Sequence, residues 1–230
     1  KTHKCNLFIG VGKKMPVKYT NHPSGNVYLD KRMVELFIPL INNQKFINKV
    51  SIHNNEEIDV NLDLFREVPI DIKFHSTRWY VHLTGVQIDM GQPYLEVEEH
   101  NKLKNNIIIV RSPRYRNDFI NYSFLNKTED KIISIGLKSE YEDLKKSIKN
   151  LEFYDCKDFL ELAQIIKSCR LFIGNECFAY SVAEGLKVPR LLEASPDFPV
   201  VFPVGKKAYD FYHQVHFEMF FKKLYIKIKI

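Results

Sequence analysis

The chain has 230 residues, 45% hydrophobic and 27% charged, with a formal net charge of +6 and a pI near 9.0. Such totals suit a soluble globular protein of one large domain or two of about 100 residues each, and no apolar run approaches the roughly 18 residues needed to span a bilayer. The basic balance favours an anionic partner, with nucleic acid, nucleotide phosphates and an acidic membrane surface all qualifying, although Lys and Asn are spread throughout as on an ordinary solvated surface.

The N-terminus opens with a basic stretch whose apolar run is too short for a signal-peptide core. It has no initiator Met, as in a chain that begins inside a longer gene product. Asn6 to Val11 reads as a buried strand, and Lys13 to Gly25 as a loop. Gly10-Val-Gly12 has no third glycine at dinucleotide spacing and reads as a turn. Asp30 has the chemistry to cap a helix whose apolar positions are Met33, Leu36, Phe37, Leu40 and Ile41, with Pro39 near its end. Phe46 to Ile52 follows as a second strand, giving a β-α-β unit.

Glu56 to Phe65 alternates acidic and apolar residues, the pattern of a half-buried strand with a wet face. His75 to Leu83 reads as a helix carrying the only Trp. His75 and His82 lie seven residues apart without a third ligand, so they are read as surface or packing histidines. The polar stretch from Gly91 to Asn106 marks the domain boundary, giving residues 1–98 and 104–230.

Beyond it strands and helices alternate. Strands are expected at Ile107–Val110, Lys131–Ile135 and Leu151–Tyr154, and helices at Asn117–Leu125, Glu140–Ile148 and Asp158–Ser168. That order means βαβ crossovers and a parallel sheet covered on both faces, an α/β fold. Leu171 to Ile173 then end at Gly174, Asn175 has N-cap chemistry, and Phe178, Val182 and Leu186 share a helical face. This strand-to-helix corner presents backbone N–H groups and the positive end of a helix dipole, the components of an anion site. Pro196 to Gly205 is a Pro-punctuated loop. Ala208 to Lys223 is expected as a helix with Phe211, Val215, Met219 and Leu224 inward, and Tyr225 to Ile230 as an edge strand guarded by lysines.

The polar cluster with most chemical content is Arg111-Ser-Pro-Arg-Tyr-Arg-Asn117. Its three guanidinium groups, on Arg111, Arg114 and Arg116, together with Ser112, follow a parallel strand at the end where such sheets bind ligands. Paired with the Gly174–Cys177 corner, the cluster points to a diphosphate held between two turns. Glu140, after the Ile135-Gly136 strand end, can accept ribose hydroxyls or serve as a first-turn acid favoured by the helix dipole. Glu184, near the end of its helix, has no assigned role.

The sequence contains no Gly-x-Ser-x-Gly, no Walker A run and no metal-ligand spacing. Cys5, Cys156, Cys169 and Cys177 form no Cys-x-x-Cys pair, which points to reduced thiols in a cytoplasm. Aromatic residues fall at core positions and do not interleave with basic ones, so a nucleic-acid partner is not expected.

Leu171-Phe-Ile-Gly-Asn-Glu-Cys-Phe-Ala-Tyr-Ser-Val-Ala-Glu-Gly-Leu-Lys-Val-Pro-Arg190 resembles the strand, acidic-Thr-Gly corner and Ala-rich helix of the ADP-heptose:lipopolysaccharide heptosyltransferase-like glycosyltransferases. The arginine loop, the Ile-Ser-Ile-Gly strand with Glu140, and Asp158 to Ile166 are similar in order and spacing, so the resemblance covers Ile107 to Tyr212. It is weaker over Leu36–Val50 and Ile58–Arg66, in the manner of a divergent branch. It implies a GT-B-like fold of two Rossmann-like domains, the N-terminal one incomplete.

The resemblance further implies metal-independent transfer of a hexosyl or heptosyl group from a nucleotide-diphospho-sugar, bound by the second domain, to a glycan or lipid-linked acceptor. The nucleotide sugar would be a substrate, with no further cofactor. By position, Gly174, Asn175, Glu176 and Cys177 would face the donor's phosphate or sugar, Arg111, Ser112, Arg114 and Arg116 its diphosphate, and Glu140 its ribose. The family's corner is acidic-Thr-Gly where this chain has Asn-Glu-Cys. The family's general base is an Asp in a Gly-Asp loop after the first strand; this sequence has no such segment, its start resembles the family's second strand, and the catalytic residue is unassigned. The alternative is a catalytically degenerate nucleotide or sugar-phosphate binding module.

Overall fold

A computed structural model describes residues 4–15, 25–67, 76–195 and 200–229. His75, residues 16–24 and 196–199 of the two expected loops, and Ile230 lie outside the described residues. The chain divides into two compact units, Lys1–Asp59 with Lys157–Glu161, and Val60–Cys156 with Leu162–Ile230. The second unit thus takes in residues 60–98, which the sequence pattern groups with the N-terminal half.

In the first unit, β1 (Cys5–Ile9) and β2 (Ile47–Ile52) are parallel, with Leu7 opposite Val50. They are joined through α1 (Lys31–Asn42), which Asp30 caps by accepting from the Met33 amide at 2.7 Å. Pro39 lies inside this helix without ending it. Ile9, Val34 and Val50 form the buried centre, with Phe37, Ile38 and Ile41 packed around them.

The expected strand at Glu56–Phe65 is absent. Its apolar residues Ile58, Val60, Leu62 and Leu64 are exposed, and the segment closes in a 3-10 turn, Leu62–Arg66, started by the Asn61 side chain accepting from Asp63 N. Local side-chain bonding wins over a strand that has no partner. A helix, α2 (Ser76–Thr84), follows as expected.

The rest of the second unit is a six-stranded, wholly parallel sheet made of β3 (Ile107–Val110), β4 (Ile132–Ile135), β5 (Leu151–Tyr154), β6 (Leu171–Asn175), β7 (Arg190–Glu193) and β8 (Ala208–Phe211). Every residue of β3, β4, β6 and β7 is buried, as in a sheet covered on both faces. Helices α3 (Lys138–Lys145), α4 (Phe159–Lys167), α5 (Phe178–Leu186) and α6 (Gln214–Lys229) connect or follow the strands. The strand order is β5-β4-β3-β6-β7-β8, so the chain runs outward from β3 to β5 and then returns to the other side of β3. The order therefore reverses between β3 and β6, the place where doubly wound sheets bind ligands.

Three elements differ from the sequence pattern. Asn117–Leu125 forms only a 3-10 turn, Ser123–Lys127, because Asn117 and Asn121 spend their side-chain oxygens on the amides of Phe119 and Ser123. Ala208–Phe211 is the strand β8, and the helix begins only at Gln214. The expected edge strand at Tyr225–Ile230 instead continues α6 to Lys229. Phe217, Phe221 and Leu224 face the core at helical spacing, and an established helix extends more cheaply than a new strand starts.

Glu184 has a structural role. It pairs with the fully buried Arg190 at 2.5 Å and with Lys187, while Arg190 also donates to Val188 O and Val204 O. The pair clamps the end of α5 to β7.

Candidate functional site

Because all six strands are parallel, the residues that follow them gather at one rim. Arg111–Asn117 leave β3, Gly136 and Glu140 follow β4, Asn175–Cys177 end β6, and Glu193 ends β7. The two corners singled out in the sequence flank the reversal between β3 and β6. Gly174 lies opposite Val110, and a Cβ there would come within 2.9 Å of Val110 O. Close strand approach thus requires glycine here.

Asn175 is the last residue of β6, fully buried, and does not cap the helix; Cys177 is the N-cap residue of α5. Asn175 Nδ2 donates to Ser112 O at 2.9 Å and Arg114 O at 2.6 Å, and Asn175 Oδ1 accepts from Ser112 N at 3.0 Å. The side chain therefore stitches the arginine loop to β6 across the switch point. An amide suits this position because two carbonyls need a donor and one amide needs an acceptor. Asn175→Asp should lower stability by about 2–4 kcal/mol, since a buried carboxylate oxygen would then face two carbonyls. The urea midpoint reads the loss, and an unchanged midpoint would show that the stitch does not form.

Arg111 and Arg116 are likewise engaged within the protein. Arg111 donates to both oxygens of Glu193, at 2.7 and 2.8 Å, and to Asn117 O. Burial pulls down its affinity for the proton, and the Glu193 bond together with the charges of Tyr122, Glu193 and Asp143 more than restores it. Arg116 pairs with Asp143 and donates to Ser112 O and Arg111 O, which holds the Asp143 carboxyl below its usual range. Both guanidiniums are thus paired with carboxylates of the protein itself, partners that the sequence pattern does not announce. Ser112 Oγ donates to Arg114 O and so shapes the same loop.

Glu176 also turns inward. The residue is 4% exposed, and its carboxylate accepts from Val200 N at 3.0 Å and Ser195 N at 3.5 Å, linking these two positions after β7. Burial raises its pKa from 4.5 to about 7, against the pull of these backbone amides. The folded protein thus holds the Glu176 proton more tightly than the unfolded chain, so stability should fall as pH rises from about 4.5 to about 7, by up to about 3 kcal/mol. Glu176→Gln should flatten that slope in denaturation series across this window. A slope equal to that of the parent protein would refute the assignment.

Arg114 differs from its neighbours. Its guanidinium lies 5.5 Å from the Tyr115 ring centroid and has no carboxylate partner among the described residues. Its charge bears on both Glu140 and Cys177, so the three share one neighbourhood. Glu140 is nearly buried at the third position of α3, where Oε2 accepts from Leu137 N at 2.9 Å. Burial raises its pKa, with Leu137 N–H, Arg116 and Arg114 opposing. Gly136, at φ +137, leaves the space this carboxylate fills. The Cys177 thiol is pushed up to about 11 by burial and stays protonated at neutral pH, even though the amides of Tyr180 and Ala179 face its sulfur. This is not a nucleophile's environment.

Sequence reasoning missed Glu193 and Asp143, the partners that occupy Arg111 and Arg116. Glu193 lies 82 residues from Arg111, and no local pattern announces such a pairing. Among the described residues, no group of three His, Cys, Asp or Glu is placed to hold a metal ion, and no helix is long and apolar enough to cross a membrane.

No family model and no curated protein matches the chain. Solved structures do. E. coli heptosyltransferase WaaC with ADP-2-deoxy-2-fluoro heptose is similar at 10% identity and a TM-score of 0.45, over 77% of this chain and 59% of that one. The glycosyl transferase family 9 protein from Veillonella parvula is similar at 13% identity and a TM-score of 0.45, over 79% and 56%. E. coli ADP-heptose lps heptosyltransferase II is similar at 15% identity and a TM-score of 0.49, over 81% and 68%. The likeness is to heptosyltransferase and glycosyl transferase family 9 structures, and the chain spans less than two thirds of the length of the first two.

Proposed function

We propose that the second unit binds a nucleotide-diphospho-sugar at the switch point between β3 and β6, and that the protein transfers the sugar to a glycan or lipid-linked acceptor without a metal. The observation that carries this reading is Arg114, a guanidinium without a carboxylate partner among the described residues, set beside Glu140 and the start of α5 at the ligand-binding rim of the sheet. As the glycosidic bond to the donor breaks, the leaving diphosphate gathers negative charge. Arg114 and the positive end of α5 would stabilise that charge. Glu140, whose Oε2 is held by Leu137 N, would accept ribose hydroxyls with its other oxygen.

A second reading is a nucleotide-diphosphate binding module without transfer activity. It is favoured by the engagement of Arg111, Arg116 and Asn175 inside the protein, so that among the described residues of the arginine loop Arg114 alone carries a guanidinium without a carboxylate partner. Calorimetric titration with ADP-, UDP- and GDP-sugars, followed by a search for product with radiolabelled donors, separates the two. Binding with hydrolysis or transfer supports the enzyme, binding alone supports the module, and no binding of any nucleotide sugar overturns both.

A further inference from the structure

The outward stripe of α6 is Val215, Met219, Lys222 and Ile226, spaced along one face of the helix opposite the buried Phe217, Phe221 and Leu224. Val215 is 74% exposed, Met219 48% and Ile226 56%. The sequence pattern places Val215 and Met219 inward; the helix instead presents them to solvent. Lys223 flanks the stripe and lies 4.5 Å from the ring centroid of Tyr209, which stacks on Phe220. Beside it Gly205, Lys206, Lys207, Ala208 and Tyr209 line a depression of about 340 Å³ that Lys223 and Leu224 complete. In this turn Gly205, at φ +97, and Lys207, at φ +56, both take positive-φ backbone. Lys206, Lys207, Lys222 and Lys223 are all exposed and have no carboxylate partner among the described residues.

We infer that this face of α6 and the turn before β8 dock on a lipid surface bearing anionic head groups. Four lysines without a carboxylate partner among the described residues attract negative charge, and three exposed aliphatic side chains favour an apolar medium; an anionic bilayer interface offers both in one plane. A second copy fits poorly, because a two-fold contact would bring the same four lysines against themselves. Protein interfaces are depleted in Lys, and nucleic acid gives Val, Met and Ile nothing to enter. The surface belongs to the second unit alone, and its test does not depend on whether a nucleotide sugar binds.

The full chain is sedimented with vesicles of phosphatidylcholine alone and of phosphatidylcholine mixed with phosphatidylglycerol. Binding is expected only to the anionic vesicles and should weaken as salt is raised. Lys222→Glu combined with Lys223→Glu should weaken it by at least about tenfold, at about 1 kcal/mol for each lysine near such a surface. Val215→Asp with Met219→Asp should weaken it although every lysine remains. All four positions are exposed, and unchanged circular dichroism will confirm that the variants fold. Equal binding to neutral vesicles, binding indifferent to both variants, or no vesicle binding with stabilisation by inorganic phosphate alone would overturn the inference. So would a dimer in sedimentation equilibrium that Val215→Asp disperses.

Discussion

Arg111→Ala is expected to destabilise the second unit by about 3–5 kcal/mol, because it leaves the Glu193 carboxylate buried without its cation. Glu193 is fully buried and accepts four bonds, two from Arg111, one from Asn117 N at 2.7 Å and one from the Tyr122 hydroxyl at 2.7 Å. The Arg111 guanidinium also stands 5.0 Å from the Tyr122 ring centroid, and Tyr122, fully enclosed, is held protonated far above its ordinary range by burial. With Arg111 gone, the two neutral donors remain but the charge is not balanced. The double change Arg111→Met with Glu193→Gln should recover much of the loss, since replacing both members of a buried pair is commonly near neutral. Urea denaturation of the three proteins checks this. A single Arg111→Ala variant as stable as the parent would mean that Arg111 is held by solvent or ligand and that its pair with Glu193 does not carry the fold.

That network marks the limit of what the sequence could reveal. The parallel sheet was legible because Ile107–Val110 and Leu171–Ile173 are short, wholly apolar runs separated by helical patterns, and few other architectures accept strands buried on both faces. The rim was legible for the same reason, since the ends of parallel strands converge wherever the strands are placed. The occupancy of the rim was not. Whether an arginine in a strand-end loop meets a phosphate or a carboxylate depends on residues such as Glu193 and Asp143, brought there by folding from far along the chain. The end of the chain was misread on different physics. Tyr225-Ile-Lys-Ile-Lys alternates like an edge strand, yet Phe217, Phe221 and Leu224 had already fixed a helix whose next turns cost little.

Arg114→Ala is expected to weaken nucleoside diphosphate binding by about tenfold to a hundredfold while leaving stability within about 0.5 kcal/mol of the parent. The asymmetry with Arg111 follows from partners. Arg114 has no buried carboxylate to abandon, and its nearest aromatic contact is the ring of the next residue. Its charge is instead felt by Glu140 and Cys177, the groups that border the switch point. Binding of the nucleoside without phosphates should change little, because it offers no phosphate oxygens for the guanidinium fork to grip. Arg114→Lys should fall between, keeping the charge and losing the fork that grips two phosphate oxygens. Calorimetric titration of ADP and adenosine against the three proteins separates these outcomes. Equal losses for nucleotide and nucleoside would show that Arg114 shapes the loop without meeting phosphate, and a loss of folding in Arg114→Ala would place it, like Arg111, among the residues that hold the rim together.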